Sequence, residues 1–404
     1  MTVKKHTMFL YIAAICFTAS SSAFIKGLPV IGQVINAVEC VIFIYCFLML
    51  IKSRKVNTYT WLVILFYVLL GVSTVLGTKE YFTYIVYAIQ GIGATVFINY
   101  EFNRYPVETA KVLRNVLMCF ILINLFMCIL FPGGFYGTGN TAMFFLGYRI
   151  AFTPFIIAQV FFSLLYDYAS KASDKISIFS IASVVVGFMS VLIKNVSTGI
   201  VTLAAVLGLV AICKHRKKQF NLYYFYIIYA VIFVGIVIYN IQYHIPFISY
   251  FLVDVLGKSL TFDHRTTIWL ATIKEFLEKP ILGYGLTGGG GVLVKFEYRV
   301  ATLSAHNQIL NLLWEGGVVA FSVFAAMGLQ IGRALKRAHN NNISYLACCF
   351  IIGFFVMMFT EVQMTKALIF LLFAAAANIQ KVIDDKEERL EVFRRYALRT
   401  HNNT

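Results

Sequence analysis

Charge is what this chain has least of. Only 13% of its residues are Asp, Glu, Lys or Arg, about half the share of a soluble domain. A water-soluble globule is thereby excluded. No CxxC pair occurs among the eight cysteines (16, 40, 46, 119, 128, 213, 348 and 349), which lie in or at the ends of apolar segments. Neither a disulfide framework nor a metal site follows from them. There is no DxD-like metal motif and no nucleotide P-loop, because the glycines near position 290 lack the following Lys-Ser/Thr. No internal repeat is evident. The acids of the polar stretch, Asp254, Asp263, Glu275, Glu278 and Glu297, are scattered without a pairing pattern, which argues against the two facing carboxylates of a glycosidase.

Apolar residues take the place of charge. They make up 60% of the chain and come in runs close to the roughly 17–25 residues that cross a bilayer as a helix. The runs do not alternate as barrel strands would, and lipid forces each to satisfy its own backbone hydrogen bonds. The expectation is an all-α, polytopic membrane bundle. Its spans fall near 8–25, 28–51, 59–77, 81–99, 113–132, 150–168, 176–193, 197–213, 221–241, 307–331, 343–361 and 366–380, twelve in all, the last being short. The start, with Lys4, Lys5 and an apolar run, resembles a signal peptide but reads as an uncleaved first helix. Glu39 lies inside a span and is expected to be buried, hydrogen-bonded or protonated.

The net charge of +16 does not point to nucleic acid, because the basic residues sit in short clusters between apolar runs. Lys4/Lys5, Lys52/Arg54/Lys55, Arg104/Lys111/Arg114, Lys171/Lys175, Lys214–Lys218 and Arg333/Lys336/Arg337 fall on alternate connections. The positive-inside rule then places both termini in the cytoplasm. Residues 1–380 are expected to form one membrane domain and 381–404 a charged cytoplasmic tail able to form a surface helix. The opposite connections are sparse in charge, holding Lys26, Lys79, Arg149, Lys194, Lys366 and one long loop, roughly 242–306, placed outside the cytoplasm.

That loop and the span after it, Phe262–Phe321, hold the candidate chemistry. Asp263 is expected to cap a helix that Pro280 ends. Trp269, Ile273, Phe276 and Leu277 would share its apolar face, with Lys274, Glu275 and Glu278 elsewhere. Arg265, four residues before Trp269, projects to the same side. The glycines 283, 285 and 288–291 could cradle phosphate or serve as a hinge, and the hinge is preferred. His306 and Asn307 stand at the entry to a span. The His is either a structural hydrogen-bonder or a base; Ala338-His339-Asn340 repeats the tripeptide on a connection expected to be cytoplasmic, so the tripeptide alone says little. Arg149 opens another span and is either an interfacial anchor or a phosphate contact. Lys194 and Glu361 sit at helix ends as interface anchors or site residues.

Arg265-x-x-x-Trp269, Pro280-x-x-Gly283-x-Gly285, His306-Asn307 and Gly316-Gly317, in that order, resemble the bacterial O-antigen ligase and polysaccharide polymerase superfamily. Gly147-Tyr-Arg149 is a weaker match. Ser197-Thr-Gly199 resembles a family helix start, with Lys194 as the nearby basic residue where the family has another pattern. The resemblance implies glycosyl transfer from an undecaprenyl-diphosphate-linked oligosaccharide at the outer face of the bacterial cytoplasmic membrane. It implies a polymerase that joins repeat units of a capsule, exopolysaccharide or O-antigen, or a ligase that transfers the glycan to lipid A core. In the polymerase reading Arg149 and Arg265 hold the diphosphate. His306 deprotonates or orients the acceptor hydroxyl with help from Asn307, and Trp269 seats the Arg265 helix. Lys194 and Glu361 complete the substrate contacts. No metal and no cofactor are expected. Expected partners are the lipid-linked donor, a glycan acceptor, membrane lipid, a chain-length regulator and a flippase. The reading from another class is a lipid-linked oligosaccharide transporter, for which charges near the midplane and repeated halves would be the signature.

Overall fold

The computed structural model describes residues 3–137, 142–171, 175–250, 253–254, 259–261, 264–288, 290–295, 300–338, 341–364 and 366–401. Each expected span falls on a helix. These are α1 (Val3–Ala19), α3 (Pro29–Lys52), α4 (Thr58–Leu76), α5 (Tyr81–Phe102), α6 (Pro106–Leu130), α7 (Phe152–Ser170), α8 (Ile178–Ile193), α9 (Ser197–Arg216), α10 (Leu222–Phe233), α13 (Gln308–Arg337), α14 (Asn342–Met358) and α15 (Ala367–Ala377). The short α2 (Ala23–Lys26) and α11 (Pro246–Tyr250), the loop helix α12 (Arg265–Glu278) and the terminal α16 (Ile379–His401) complete the set. Among the described residues, seven helices are long and apolar enough to cross a membrane, or eight if α15 and α16, bent by 56°, count as one span. Shorter apolar helices cover Ile178–Ile193, Leu222–Ile238 and Asn342–Met358.

Asn57, Ser177, Asn221, Asn307 and Asn341 cap helices by accepting a first-turn backbone N–H, which satisfies donors the helix cannot. The apolar window of α7 is 83% buried within the protein and that of α3 only 22%. So α7 is central, as are α14 and the short α15, nearly every side chain of which is buried. α3 turns Val30, Val34, Val41 and Leu48 outward. Such a wide apolar exterior suits lipid rather than water.

Among the described residues, two antiparallel hairpins interrupt the helical architecture. β1 (Met143–Phe144) pairs with β2 (Gly147–Tyr148), and β3 (Val292–Lys295) with β4 (Val300–Leu303). The first docks on α2, where Ser22 Oγ donates to the Phe145 carbonyl and Ala23 N to that of Leu146. The second lies against α12. The tail is helical, and its first turns bury Ile379, Val382 and Ile383 under the bundle.

The long connection is built by close backbone docking. α13 is kinked at Gly317, where φ is 62° and ψ −168°. This frees N–H groups that the Pro280–Gly285 segment satisfies: Val318 N donates to Pro280 O at 2.9 Å. In return Tyr284 N donates to Trp314 O and Gly285 N to Glu315 O, each at 2.8 Å. Tyr284 O also accepts from Thr78 N at the end of α4. A side chain at Gly317 would overlap the Ile281 carbonyl, and one at Gly283 the Trp314 carbonyl. The expected hinge at Gly283 and Gly285 is therefore corrected. These glycines are fixed points that let two backbones touch.

Candidate functional site

α12 starts at Arg265, after His264 in a left-handed conformation (φ 68°); Asp263, the expected cap, lies outside the described residues. Trp269, one turn on, is fully buried. It packs edge-on against Phe359 at 6.1 Å and lies among Phe233, Val237, Ala305 and Leu310. This anchor fixes α12 against α10, α13 and the end of α14. The expected face needs correction: Leu277 is 67% exposed, whereas Glu275 turns inward. The Trp314 indole N–H donates to Glu275 Oε2 at 2.7 Å, and Leu293 N to its Oε1 at 2.8 Å. Two otherwise unsatisfied donors thus draw the carboxylate against the bundle. Tyr284 stacks on Trp314 at 5.1 Å and donates to Glu278 Oε2. Glu275 and Glu278 are thereby occupied structurally.

The helix so placed aims Arg265 at the chain just beyond α14. One guanidinium nitrogen donates to the Thr360 carbonyl and another to Glu361 Oε1 at 2.8 Å. The Arg and Glu side chains are 19% and 5% exposed. A guanidinium has five donors, so several remain for a ligand. His306 lies in the field of this pair. Its backbone is left-handed (φ 47°), a conformation costly for a residue with a β-carbon and concentrated at functional sites. Burial, and secondarily the Arg265 charge, hold its imidazole below the ordinary value of 6.5, against the opposing pull of Glu361. The ring makes no hydrogen bond to the described residues. A neutral, partly buried imidazole beside a guanidinium can take a proton from a hydroxyl while the cation holds an anion.

Asn307 has both ends of its amide engaged: Oδ1 accepts from Leu310 N at 3.0 Å and Nδ2 donates to Phe359 O at 2.8 Å. Gln308 Oε1 accepts from Gln363 N and Met364 N. These bonds staple the segment carrying Glu361 to the start of α13, next to His306. Gln308 escaped the sequence reading; its adjacency to His306-Asn307 was the available signal. Lys366, named only as a sparse charge, precedes α15 close enough to feel Glu361. The structure thus gathers Arg265, Trp269, His306, Asn307 and Glu361.

It does not join Arg149 or Lys194 to them. Among the described residues, no hydrogen bond, ion pair or ring contact links either to the Arg265–Glu361 pair. Arg149 is exposed, its guanidinium 5.7 Å from the Tyr148 ring centre. Lys194 donates to Pro132 O at 2.9 Å and lies over the Phe144 ring at 4.4 Å. Both flank the β1–β2 hairpin at the bundle end that bears the long connection. α9 begins at Ser197, as its motif implied. His339 and Asn340, and the acid Glu297, lie outside the described residues.

Helical bundle, lipid-suited exterior and a cation–imidazole cluster at one end define a multi-pass membrane protein with a polar site at a single face. Residues 182–325 match the family described as O-antigen ligase. That segment contains every motif from Ser197 to Gly317 but not Arg149 or Glu361. A candidate polysaccharide ligase of Rickettsia conorii is 28% identical over 98 residues, 22% of this chain and 24% of that protein. The match therefore spans about a quarter of the relative's length.

Proposed function

We propose that the protein is a glycosyltransferase that joins lipid-diphosphate-linked oligosaccharide repeat units outside the cytoplasm, acting as a polysaccharide polymerase. The observation that carries this reading is the meeting of Arg265, its partner Glu361 and the neutral His306 at one end of the bundle. The donor's leaving group is undecaprenyl diphosphate. As the bond from the anomeric carbon to the phosphate oxygen breaks, its electron pair stays on the diphosphate. The planar fork of Arg265 holds that growing charge. Arg149, exposed at the same end, supplies a second cation. The acceptor hydroxyl attacks the anomeric carbon, its proton passes to the His306 ring, and the glycosidic bond forms. His306 then returns the proton to solvent. Glu361 orients Arg265 and moderates its effect on the imidazole. The residues assigned to these steps require no metal.

Transfer to lipid A core is the second reading; the matching family is described as O-antigen ligase and the relative is named a polysaccharide ligase, which supports the superfamily and leaves both readings to the assay. Purified protein mixed with a lipid-diphosphate-linked repeat unit and a chelator, without nucleotide, separates the outcomes. A ladder of growing lipid-linked glycans supports the polymerase. Transfer only after lipid A core is added supports the ligase. Movement of substrate across a vesicle membrane without any change in glycan length would replace both with the transporter.

A further inference from the structure

A cavity of about 380 Å³ opens between α3 and α5, at the bundle end where the long connection lies. Small-molecule pockets begin near 300 Å³. Lys26, Gln33, Asn36, Thr83, Tyr87 and Gly288 line it. Lys26 Nζ donates to Gln90 Oε1 at 3.3 Å and lies 5.1 Å from the Tyr87 ring centre. Gln90 in turn donates to Asn36 Oδ1 at 3.2 Å. Glu39, one turn below Asn36 on α3, is 0% exposed and lies behind the lining, within reach of the Ser20 hydroxyl and the Gln90 amide. Lys26, an exposed residue of the lining, lies within reach of the Glu39 charge.

The polar groups lining the cavity are of both kinds: the Lys26 ammonium and the amide N–H groups give, the amide oxygens of Gln33 and Asn36 take, and the Thr83 hydroxyl can do either. They surround an aromatic face, with Phe82 exposed at the mouth. A phosphate would find an excess of donors useful and the Glu39 carboxylate repulsive. Sugar hydroxyls both give and take hydrogen bonds, and the C–H face of a pyranose packs on an aromatic ring. The cavity also adjoins the site described above. Gly288, which lines the cavity, directly follows the Tyr284–Thr287 segment whose backbone N–H groups bond to Trp314 and Glu315 of α13.

We propose that this cavity is a sugar-binding subsite that seats an uncharged residue of the glycan, with Lys26, Gln33 and Asn36 meeting its hydroxyls and Tyr87 its apolar face. Naming a glycan as the occupant rests on the glycosyl transfer proposed above. The test is saturation-transfer NMR on the full chain in nanodiscs, with a panel of neutral methyl glycosides as probes and inorganic pyrophosphate as competitor. Transfer to at least one glycoside is expected. It should fall at least tenfold in Asn36→Leu and Tyr87→Ala, and also fall in Gln33→Ala, a change at an exposed rim position that leaves packing intact. It should persist in His306→Ala and in the presence of pyrophosphate. No signal from any glycoside, an undiminished signal in the three cavity variants, or displacement by pyrophosphate would overturn the subsite. Sugar binding that meets these expectations in a protein whose His306→Ala variant makes wild-type chain lengths would instead overturn the transfer reading and leave the subsite standing.

Discussion

Arg265 and Glu361, 96 residues apart in sequence, form an ion pair at 2.8 Å that ties the first turn of α12 to the segment after α14. The bond to the Thr360 carbonyl fixes the guanidinium in the same place. An Arg held by its own neighbours loses little freedom when a phosphate arrives, which is how a preorganised cation stabilises charge that develops only during reaction.

Arg265→Ala should lower the rate of glycan transfer by at least about 100-fold, the scale of a lost preorganised donor. Arg265→Lys should also be impaired, because one ammonium cannot hold Thr360 and Glu361 and still offer a fork. Initial rates of ladder formation, normalised to monodisperse protein, measure both. A wild-type rate in either variant would remove Arg265 from the reaction.

The pH dependence follows from His306. Its pKa lies below 6.5, chiefly through burial and then through Arg265. A base works as the neutral ring, so transfer should hold steady above that pKa and decline as pH falls through it. The midpoint of the acid limb should lie below 6.5. Glu361 pulls the value upward, so Glu361→Gln should move the midpoint further toward acid. A rate–pH profile of both proteins decides this, and a midpoint shifted toward alkali in the variant contradicts it.

Two glycines should respond oppositely to alanine. Gly317 has φ 62° and a carbonyl in the way of any side chain. Gly317→Ala should cost more than the ~1–3 kcal/mol of backbone strain alone and lower the thermal midpoint in detergent. Gly208, within α9, has nothing within 4 Å of its virtual β-carbon. Gly208→Ala should stabilise by roughly 0.5–1 kcal/mol, the intrinsic helix preference.

Trp269 and Glu275 act through position. Trp269→Ala should destabilise the α12 contact by about 3–5 kcal/mol, as for other buried tryptophans, and transfer should fall with it. Glu275→Gln should cost about 0.5–1.5 kcal/mol by weakening one part-buried and one exposed hydrogen bond, while the rate per folded molecule stays at the wild-type value. A rate that collapses in a fully stable Glu275→Gln protein would make that carboxylate part of the chemistry.

Most of the architecture was legible in the sequence. Helices in lipid must close their own backbone bonds, so hydropathy alone places them, and every expected span found a helix. Their lengths were less legible. α15 is an 11-residue helix because a bend separates it from α16, and packing sets that bend. Arg265, Trp269 and His306 stood out because each is a local signal, a charge, a large ring or a titratable group beside apolar runs. The face of α12 was misjudged at Leu277 and Glu275. Helical periodicity ranks residues by polarity and cannot see that Trp314 and Leu293 bring donors for a carboxylate to satisfy.

A helical membrane bundle with one polar connection follows from the order of residues alone, because burial of apolar surface and backbone self-satisfaction are properties of local segments. It took the three-dimensional packing to bring Glu361 to Arg265, to dock one backbone on another at Gly283 and Gly317, and to set Lys26 and Asn36 around one cavity with Tyr87. Those relationships join segments far apart in the chain. They depend on distances of a few ångströms that no spacing along the sequence encodes.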